Sequence, residues 1–430
     1  MEVSKSLNFL YRDIIKKIDK WLERDEIIVI LGARQVGKTS VLRLLQTELV
    51  SAGKKTYFID LEDIEIRNAL KTVRNVISYL TAMGWRKEDK EITYVFLDEI
   101  HYMENCTSIL KYIHDHYPRL KFIVSGSSSL KLKFQMAEPL TGRKVVFILY
   151  PLSFLEFLEF TNRVELSRII KQYKSKPIPE PFLSQINSAY EEYIIYGGYP
   201  KVALTPEYEM KVKVLKEIQT TYLEKEIRSL VAEESFVKFS SFVEFLATQN
   251  GGLLKSLEIS KEVGIARNTV IRYLSILEET FIIKTLRPWA KSRAKEIIKM
   301  PRLFFLDTGF LNYTLKTFQN LSLRANSGLL VESGVYVSLL QYLGDMDELR
   351  YWRTKAGEEI DFLLRRENRI IPIEVKWSGY PKISNAFRKF IKENPVDKGY
   401  ILTKNSYKVE RVNNCQIKFF PAWAIPFELE

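Results

Sequence analysis

The chain has 430 residues, 46% of them hydrophobic and 27% charged, which excludes a disordered or fibrous chain and suits about two to four cored domains. Its longest apolar runs, such as 27–31 and 145–149, fall far short of the roughly 18 residues a membrane span needs, and its first residues lack a secretory apolar block, so a cytoplasmic protein with no membrane partner is expected. The 65 basic and 53 acidic residues leave a charge of +12, which suits a polyanionic partner, while two distant cysteines, Cys106 and Cys415, speak against a disulfide framework or a zinc site.

In chain order, an amphipathic stretch over 9–24 places Tyr11, Ile14, Ile15, Ile18 and Trp21 on one face and predicts a helix leading into a buried strand at 26–31. Gly32-Ala33-Arg34-Gln35-Val36-Gly37-Lys38-Thr39 follows, with Ser40 behind it. Its glycines let the backbone curl so that amides point at phosphate oxygens, and the helix starting near Lys38 adds its positive end. Lys38 is expected to neutralise the β- and γ-phosphates of ATP, or the β-phosphate of ADP, and Thr39 to offer its hydroxyl to Mg²⁺.

Strands are expected at 55–61 and 93–97, the second ending in Asp98-Glu99. Neighbouring strand residues point to opposite sides, so Asp98 suits a magnesium ion held through water and Glu99 suits the orientation and activation of an attacking water. A strand at 120–124 runs into a serine-rich segment, 125–129, where either Ser125 or Ser127 senses a γ-phosphate or the serines simply make a turn. Arg143, before a strand at 144–149, is either a phosphate contact or a surface charge. His114 and His116 are two apart and point to different sides of a helix, so no metal pair is expected there, and His101 reads as local structure.

These residues, with Leu140-Thr141-Gly142-Arg143 and Pro151-Leu152-Ser153-Phe154, resemble the prokaryotic AAA-type ATPases related to the signalling (STAND) NTPases. The resemblance implies an additional-strand P-loop sheet with Glu99 as catalytic base. Tyr196-Gly197-Gly198-Tyr199-Pro200, after a helix at 183–196, is similar to a motif in the helical lid of such ATPases, which implies that Pro200 packs near the adenine.

A connector helix is expected over 212–232, and then helix, turn, helix at 236–248, 256–263 and 266–279. Arg267, Asn268, Thr269 and Arg272 stand near the start of the last helix, able to reach bases or phosphates. Strands at 281–286 and 303–306 flank a wing. From Lys284 to Arg302 there are seven basic residues and one acidic, so Lys291, Arg293 and Lys295 join the expected DNA contacts. A winged helix used only as a hinge is the alternative.

Toward the end, a helix over 323–343 contains Glu332, and strands follow at 349–354, 359–365 and 370–376. Alternation puts Glu374 and Lys376 on one face, and pairing of the last two strands brings Asp361 beside them. Asp361 and Glu374 offer hard oxygen ligands to Mg²⁺, Glu332 completes the shell, and Lys376 positions or deprotonates a water. With a helix at 383–393 and a strand at 398–402, the segment resembles the PD-(D/E)XK nuclease superfamily, although Ile360 stands where that pattern has a proline. A surface row of ion pairs is the plain alternative.

The expected fold is therefore α/β: a parallel P-loop ATPase sheet with a helical lid, then a winged helix-turn-helix, then a small α/β restriction-endonuclease-like domain. The expected divisions are 1–155, 156–235, 236–312 and 313–430. The expected function is ATP hydrolysis that controls a DNA-directed, Mg-dependent nuclease-like domain, in a chain able to form a homo-oligomer. The alternative is a nucleotide-operated switch that binds nucleic acid or protein without cleaving it.

Overall fold

A computed structural model describes residues 10–126, 140, 142–173, 177–228, 230–231, 233–290, 296, 300–367 and 369–429. The chain separates into two compact units, Met1–Tyr150 with Glu279–Phe281, and Pro151–Glu278 with Ile282–Glu430.

The first unit is built on five parallel strands, β1 (Ile27–Leu31), β2 (Lys55–Asp60), β3 (Thr93–Asp98), β4 (Leu120–Gly126) and β5 (Lys144–Ile148). Their spatial order is β2-β3-β4-β1-β5. Every residue of β1, β3 and β4 is buried, which is why these segments read as continuous apolar runs and not as alternation. β4 lies between the P-loop strand β1 and the acidic strand β3, the inserted strand of an additional-strand sheet. Both the P-loop and Asp98 thus leave the sheet at its carboxyl edge, where α/β sheets gather ligands. Helices Val73–Ala82 and Cys106–His116 supply Val76, Leu80, Ile109, Leu110 and Ile113 to the core on one face.

The helix expected over 9–24 is shorter, Ile14–Asp19. Ile15 and Ile18 are buried there, but Tyr11 is exposed and the chain turns at 20–24 to enter β1, so the apolar pattern outlasts the helix.

The second unit opens with helices Phe154–Phe160, Val164–Lys171 and Glu180–Tyr196. Ser153 and Glu156 cap the first of them reciprocally. The connector begins earlier than its sequence pattern, as Tyr208–Thr221, and ends in a wider π-type turn, Tyr222–Ile227. Helices Phe236–Thr248, Ser256–Val263 and Arg267–Glu279 precede an antiparallel ribbon of β6 (Ile283–Leu286) and β7 (Arg302–Phe305). β6 starts two residues late because Phe281 has φ 60, a left-handed conformation that no strand continues.

Helix Ser327–Tyr342 then leads to a mixed six-stranded sheet. Its members are β8 (Glu348–Arg353), β9 (Glu359–Arg366), β10 (Arg369–Lys376), β11 (Lys398–Thr403), β12 (Lys408–Val412) and β13 (Cys415–Pro421), in the order β12-β13-β11-β10-β9-β8. Helix Asn385–Glu393 buries Phe387 and Phe390 in a cluster with Ile360, Leu363, Ile401 and Ile417 from the sheet.

Where sequence pattern divides this half into three segments, polar contacts join them. Asp307 accepts from Gly198 N at 2.7 Å, Asn312 Nδ2 donates to Ile195 O at 2.7 Å, Asn250 Nδ2 donates to Ser333 Oγ at 2.7 Å, and Trp423 Nε1 donates to Asn187 Oδ1 at 3.0 Å. Among the described residues no helix is long and apolar enough to cross a membrane.

Candidate functional sites

The first site forms where β1 runs into helix Lys38–Ser51. A Cβ on Gly32 would lie 2.3 Å from Leu149 O, so only glycine lets the loop pass the neighbouring chain this closely. Gly37 has φ 98 and Gln35 φ 60, the left-handed turns that curl the backbone before the helix. Lys38 is buried, and its Nζ donates to Gly32 O at 3.2 Å and Ala33 O at 2.9 Å, so the ammonium group folds back along its own loop. Arg34, Val36 and Ser40 complete the segment, Ser40 in the first helical turn.

Thr39 Oγ1 donates to Asp98 Oδ2 at 2.6 Å, and the Ser125 hydroxyl donates to the other Asp98 oxygen. Ser125 Oγ also accepts from Glu99 N at 3.1 Å. One carboxylate therefore links three segments: the P-loop helix, the end of β3 and the end of β4. Glu99 has φ 51, and its Oε2 lies 3.1 Å from His101 Nδ1, two residues on in the same turn.

Arg12 was not singled out by its sequence context. It is buried, and its guanidinium donates to Val36 O and Tyr150 O, both at 2.8 Å, bracing the P-loop from behind. A lone arginine beside an amphipathic pattern carries no signal of that role.

Arg143, read as either a phosphate contact or a surface charge, has a partner of its own. Its Nε and Nη2 form a two-pronged pair with Asp115, at 2.7 and 3.2 Å, on helix Cys106–His116. That fork geometry satisfies guanidinium and carboxylate together. Ser127 lies outside the described residues.

Pro200 begins the short helix Pro200–Ala203, a position that costs proline no hydrogen bond. The preceding glycines have a packing reason within the second unit. A Cβ on Gly197 would lie 2.3 Å from Asp307 Oδ1, and one on Gly198 would lie 2.6 Å from Leu152 O. Burial raises the Asp307 pKa to about 6, against the lowering effect of backbone donors from Phe310 and Gly198.

Arg267 and Asn268 are exposed and Thr269 half-exposed at the start of helix Arg267–Glu279, while Val270, Tyr273 and Leu277 are buried beneath them. Arg272 is exposed but donates to Leu230 O at 2.9 Å. Lys291, Arg293 and Lys295 lie outside the described residues.

The C-terminal carboxylates are brought to one region, but around a different cation. Asp361 Oδ2 accepts from Val375 N at 2.8 Å, which fixes β9 against β10. Glu374 is 1% exposed and accepts from the Ser384 hydroxyl, which also caps helix Asn385–Glu393. Lys376 Nζ is 3.9 Å from Glu374 Oε2. Burial raises the Glu374 pKa to about 7, with Lys376 and the Ser384 hydrogen bond opposing. Glu332 is turned to Arg302, whose Nη1 lies 2.7 Å from Glu332 Oε1, 3.4 Å from Glu359 Oε1 and 4.0 Å from Asp361 Oδ1.

Among the described residues, no three His, Cys, Asp or Glu side chains assemble into a set able to hold a metal ion. The expected magnesium shell of Glu332, Asp361 and Glu374 is thus not assembled: the Arg302 guanidinium stands beside Glu332 and Asp361, and Glu374 is turned to Lys376 and Ser384. Neither Arg302 nor Glu359 was marked out for this. Arg302 read as one more basic residue of a wing, and nothing in its spacing ties it to Glu332 thirty residues later.

Comparison with known families bears on each part. Residues 24–158 match the AAA domain family; residues 187–321 match a domain of unknown function, DUF8612; and residues 327–425 match another, DUF4143. The AAA segment covers the P-loop and the Asp98-Glu99 strand, so residues 24–158 form an AAA-type P-loop domain, and the chain is an ATPase that binds ATP or ADP. Its relatives include an uncharacterised protein of Haemophilus influenzae, 22% identical over 96% of this chain and 97% of that one. An uncharacterised protein of Methanocaldococcus jannaschii is 25% identical over 96% and 89%. Among solved structures, a Walker-type ATPase of Pyrococcus abyssi is 16% identical, covering 71% of this chain and 96% of that one, with a TM-score of 0.48.

Proposed function

We propose that this ATPase is a nucleotide-operated switch acting on DNA, in which ATP binding and hydrolysis at the P-loop set how a winged helix and the C-terminal domain engage the duplex. The single observation that carries the nucleotide half is the Thr39–Asp98–Ser125 linkage, with Glu99 next to it. Lys38 and the backbone of residues 32–37 would hold the phosphates, and Ser125 would register the γ-phosphate through its contact with Asp98. Glu99 would take the proton of the attacking water, the step for which a carboxylate beside the phosphates is suited. The Thr39 hydroxyl and the Asp98 carboxylate, 2.6 Å apart, are hard oxygen donors that fit a magnesium ion arriving with the nucleotide, and that ion would neutralise phosphate charge.

Exposed Arg267 and Asn268 at the start of a helix whose other face is buried, followed by a sequence run, 284–299, of six basic residues and one acidic, support DNA as the partner. We propose residues 236–312 as the winged helix and a cytoplasmic location. For the C-terminal domain, the notion of metal-dependent cleavage by Asp361, Glu374 and Lys376 competes with binding alone. The position of Arg302 favours binding.

The test is duplex DNA binding by fluorescence anisotropy with ATP, with ADP and without nucleotide. Affinity that differs between ATP and ADP, falls steeply with salt and weakens in an Arg267→Ala, Asn268→Ala double variant is expected. Binding that ignores both nucleotide and these two residues would sink the DNA reading. Cleavage of the same duplex in Mg²⁺ or Mn²⁺, lost in Asp361→Asn, would restore the nuclease reading.

A further inference from the structure

The carboxylates of the C-terminal sheet form the kind of acidic centre that suggests a divalent metal. What the chain puts there is its own arginine. Arg302 is the first residue of β7, so it reaches the centre from the ribbon that follows the helix-turn-helix, while Glu332 comes from helix Ser327–Tyr342 and Glu359 and Asp361 from β9. Oxygens of all three carboxylates converge on one atom, Arg302 Nη1, at 2.7, 3.4 and 4.0 Å.

We infer that the guanidinium of Arg302 is the resident cation of this centre, filling the place a divalent metal would take, so that the centre binds no metal while Arg302 is present. The inference stands on this geometry alone and is independent of the DNA reading.

Space is the first reason. Magnesium requires oxygens at about 2.0–2.1 Å in near-octahedral array. A nitrogen at the point of convergence excludes such an ion, and the oxygens lie 2.7, 3.4 and 4.0 Å from it.

Retention is the second. Arg302 is 2% exposed, its Nε donates to Gly251 O at 2.7 Å, and its guanidinium lies 5.2 Å from the Phe304 ring and 5.9 Å from the Tyr351 ring. To admit a metal the side chain would have to give up the Gly251 carbonyl and both rings as well as Glu332. Burial alone would lower its pKa, but Glu332, Glu359 and Asp361 outweigh that and raise it, so the group stays charged.

Charge is the third. Glu359 has a second cation, Arg353 Nη1, at 2.6 Å from its Oε2, and Glu374 has Lys376 and the Ser384 hydroxyl. Arg302, Arg353 and Lys376 stand against Glu332, Glu359, Asp361 and Glu374, leaving a single negative charge, less than a doubly charged ion would neutralise. The centre is thereby a clasp: it fastens the ribbon to the sheet and leaves the C-terminal domain to bind its ligand without metal chemistry.

The test is Mn²⁺ binding to the nucleotide-free full-length chain, followed by the electron paramagnetic resonance signal of free Mn²⁺. The wild type is expected to show no Mn²⁺ site that Asp361→Asn removes. Arg302→Met is expected to gain one site per chain, and Arg302→Met with Asp361→Asn to lose it again. Stoichiometric Mn²⁺ binding by the wild type that disappears in Asp361→Asn overturns the inference. So does a folded Arg302→Met protein, judged by circular dichroism, that gains no site. If Arg302→Met does not fold, the wild type and Asp361→Asn still decide. Mn²⁺ held near Thr39 and Asp98 survives Asp361→Asn, so a failure at the P-loop is told apart from a failure here.

Discussion

Replacing Arg302 by methionine keeps most of the side-chain length and deletes the charge. Breaking a buried ion pair by removing one partner costs about 3–5 kcal/mol, because the remaining charge is left buried and uncompensated. In this centre the loss falls unevenly. Glu359 keeps Arg353 at 2.6 Å and Asp361 keeps Val375 N at 2.8 Å, while Glu332, 5% exposed, loses the pairing on which it chiefly depends. The cost should therefore lie at the lower end, about 3 kcal/mol at pH 8. Burial and the neighbouring Asp361 already raise the Glu332 pKa and Arg302 holds it down; without Arg302 it rises further, so the variant recovers part of its stability as pH falls and Glu332 takes up a proton. Urea unfolding followed by tryptophan fluorescence at pH 6 and pH 8 measures this, and adding Glu332→Gln should recover part of the loss at pH 8. An Arg302→Met protein within about 0.5 kcal/mol of wild type at pH 8 would refute a buried, paired Arg302.

In Gly32→Ala the new methyl group meets Leu149 O at 2.3 Å, so the loop must shift; ATP affinity should fall by about tenfold or more, and unchanged affinity in calorimetry would remove the close-approach argument. Glu99→Gln keeps the shape and loses the carboxylate we propose as base, so it should bind ATP while hydrolysis drops by about 10²- to 10⁴-fold; near-normal turnover would exclude Glu99 as base. Glu374 has a folded-state pKa raised to about 7, so its contribution is fully present below its ordinary carboxyl range and is lost as pH rises through 7. Glu374→Gln should accordingly lose less stability than wild type between pH 5 and pH 8 in the same urea assay, and equal losses would count against a buried, proton-holding Glu374.

The ATPase site was legible in sequence because its chemistry is local. Gly32 to Thr39 lies in one continuous segment, and Asp98-Glu99 ends an apolar strand, so period and spacing suffice to place them. Arg12 and the Ser125 bridge to Asp98 depend on which strands neighbour one another, and only the order β3-β4-β1 settles that. The acidic centre shows the opposite case. Asp361, Glu374 and Lys376 were found from strand alternation, but Arg302, which faces Asp361, Glu359 and Glu332, arrives from a separate hairpin, and a basic residue in a basic run carries no mark of burial. Arg143 was similarly ambiguous, since its pairing with Asp115 joins a strand start to a helix 28 residues earlier. The C-terminal strands β12 and β13 went unread because the alternation in 408–421 is broken by the Asn413-Asn414 turn between them.

The most direct test of the account is steady-state ATP hydrolysis by the full-length chain beside its Lys38→Ala variant. Hydrolysis in the wild type that vanishes in Lys38→Ala, with the variant folded by circular dichroism, is the predicted result. Retained hydrolysis in Lys38→Ala would contradict the assignment of the reaction to the Gly32–Thr39 loop.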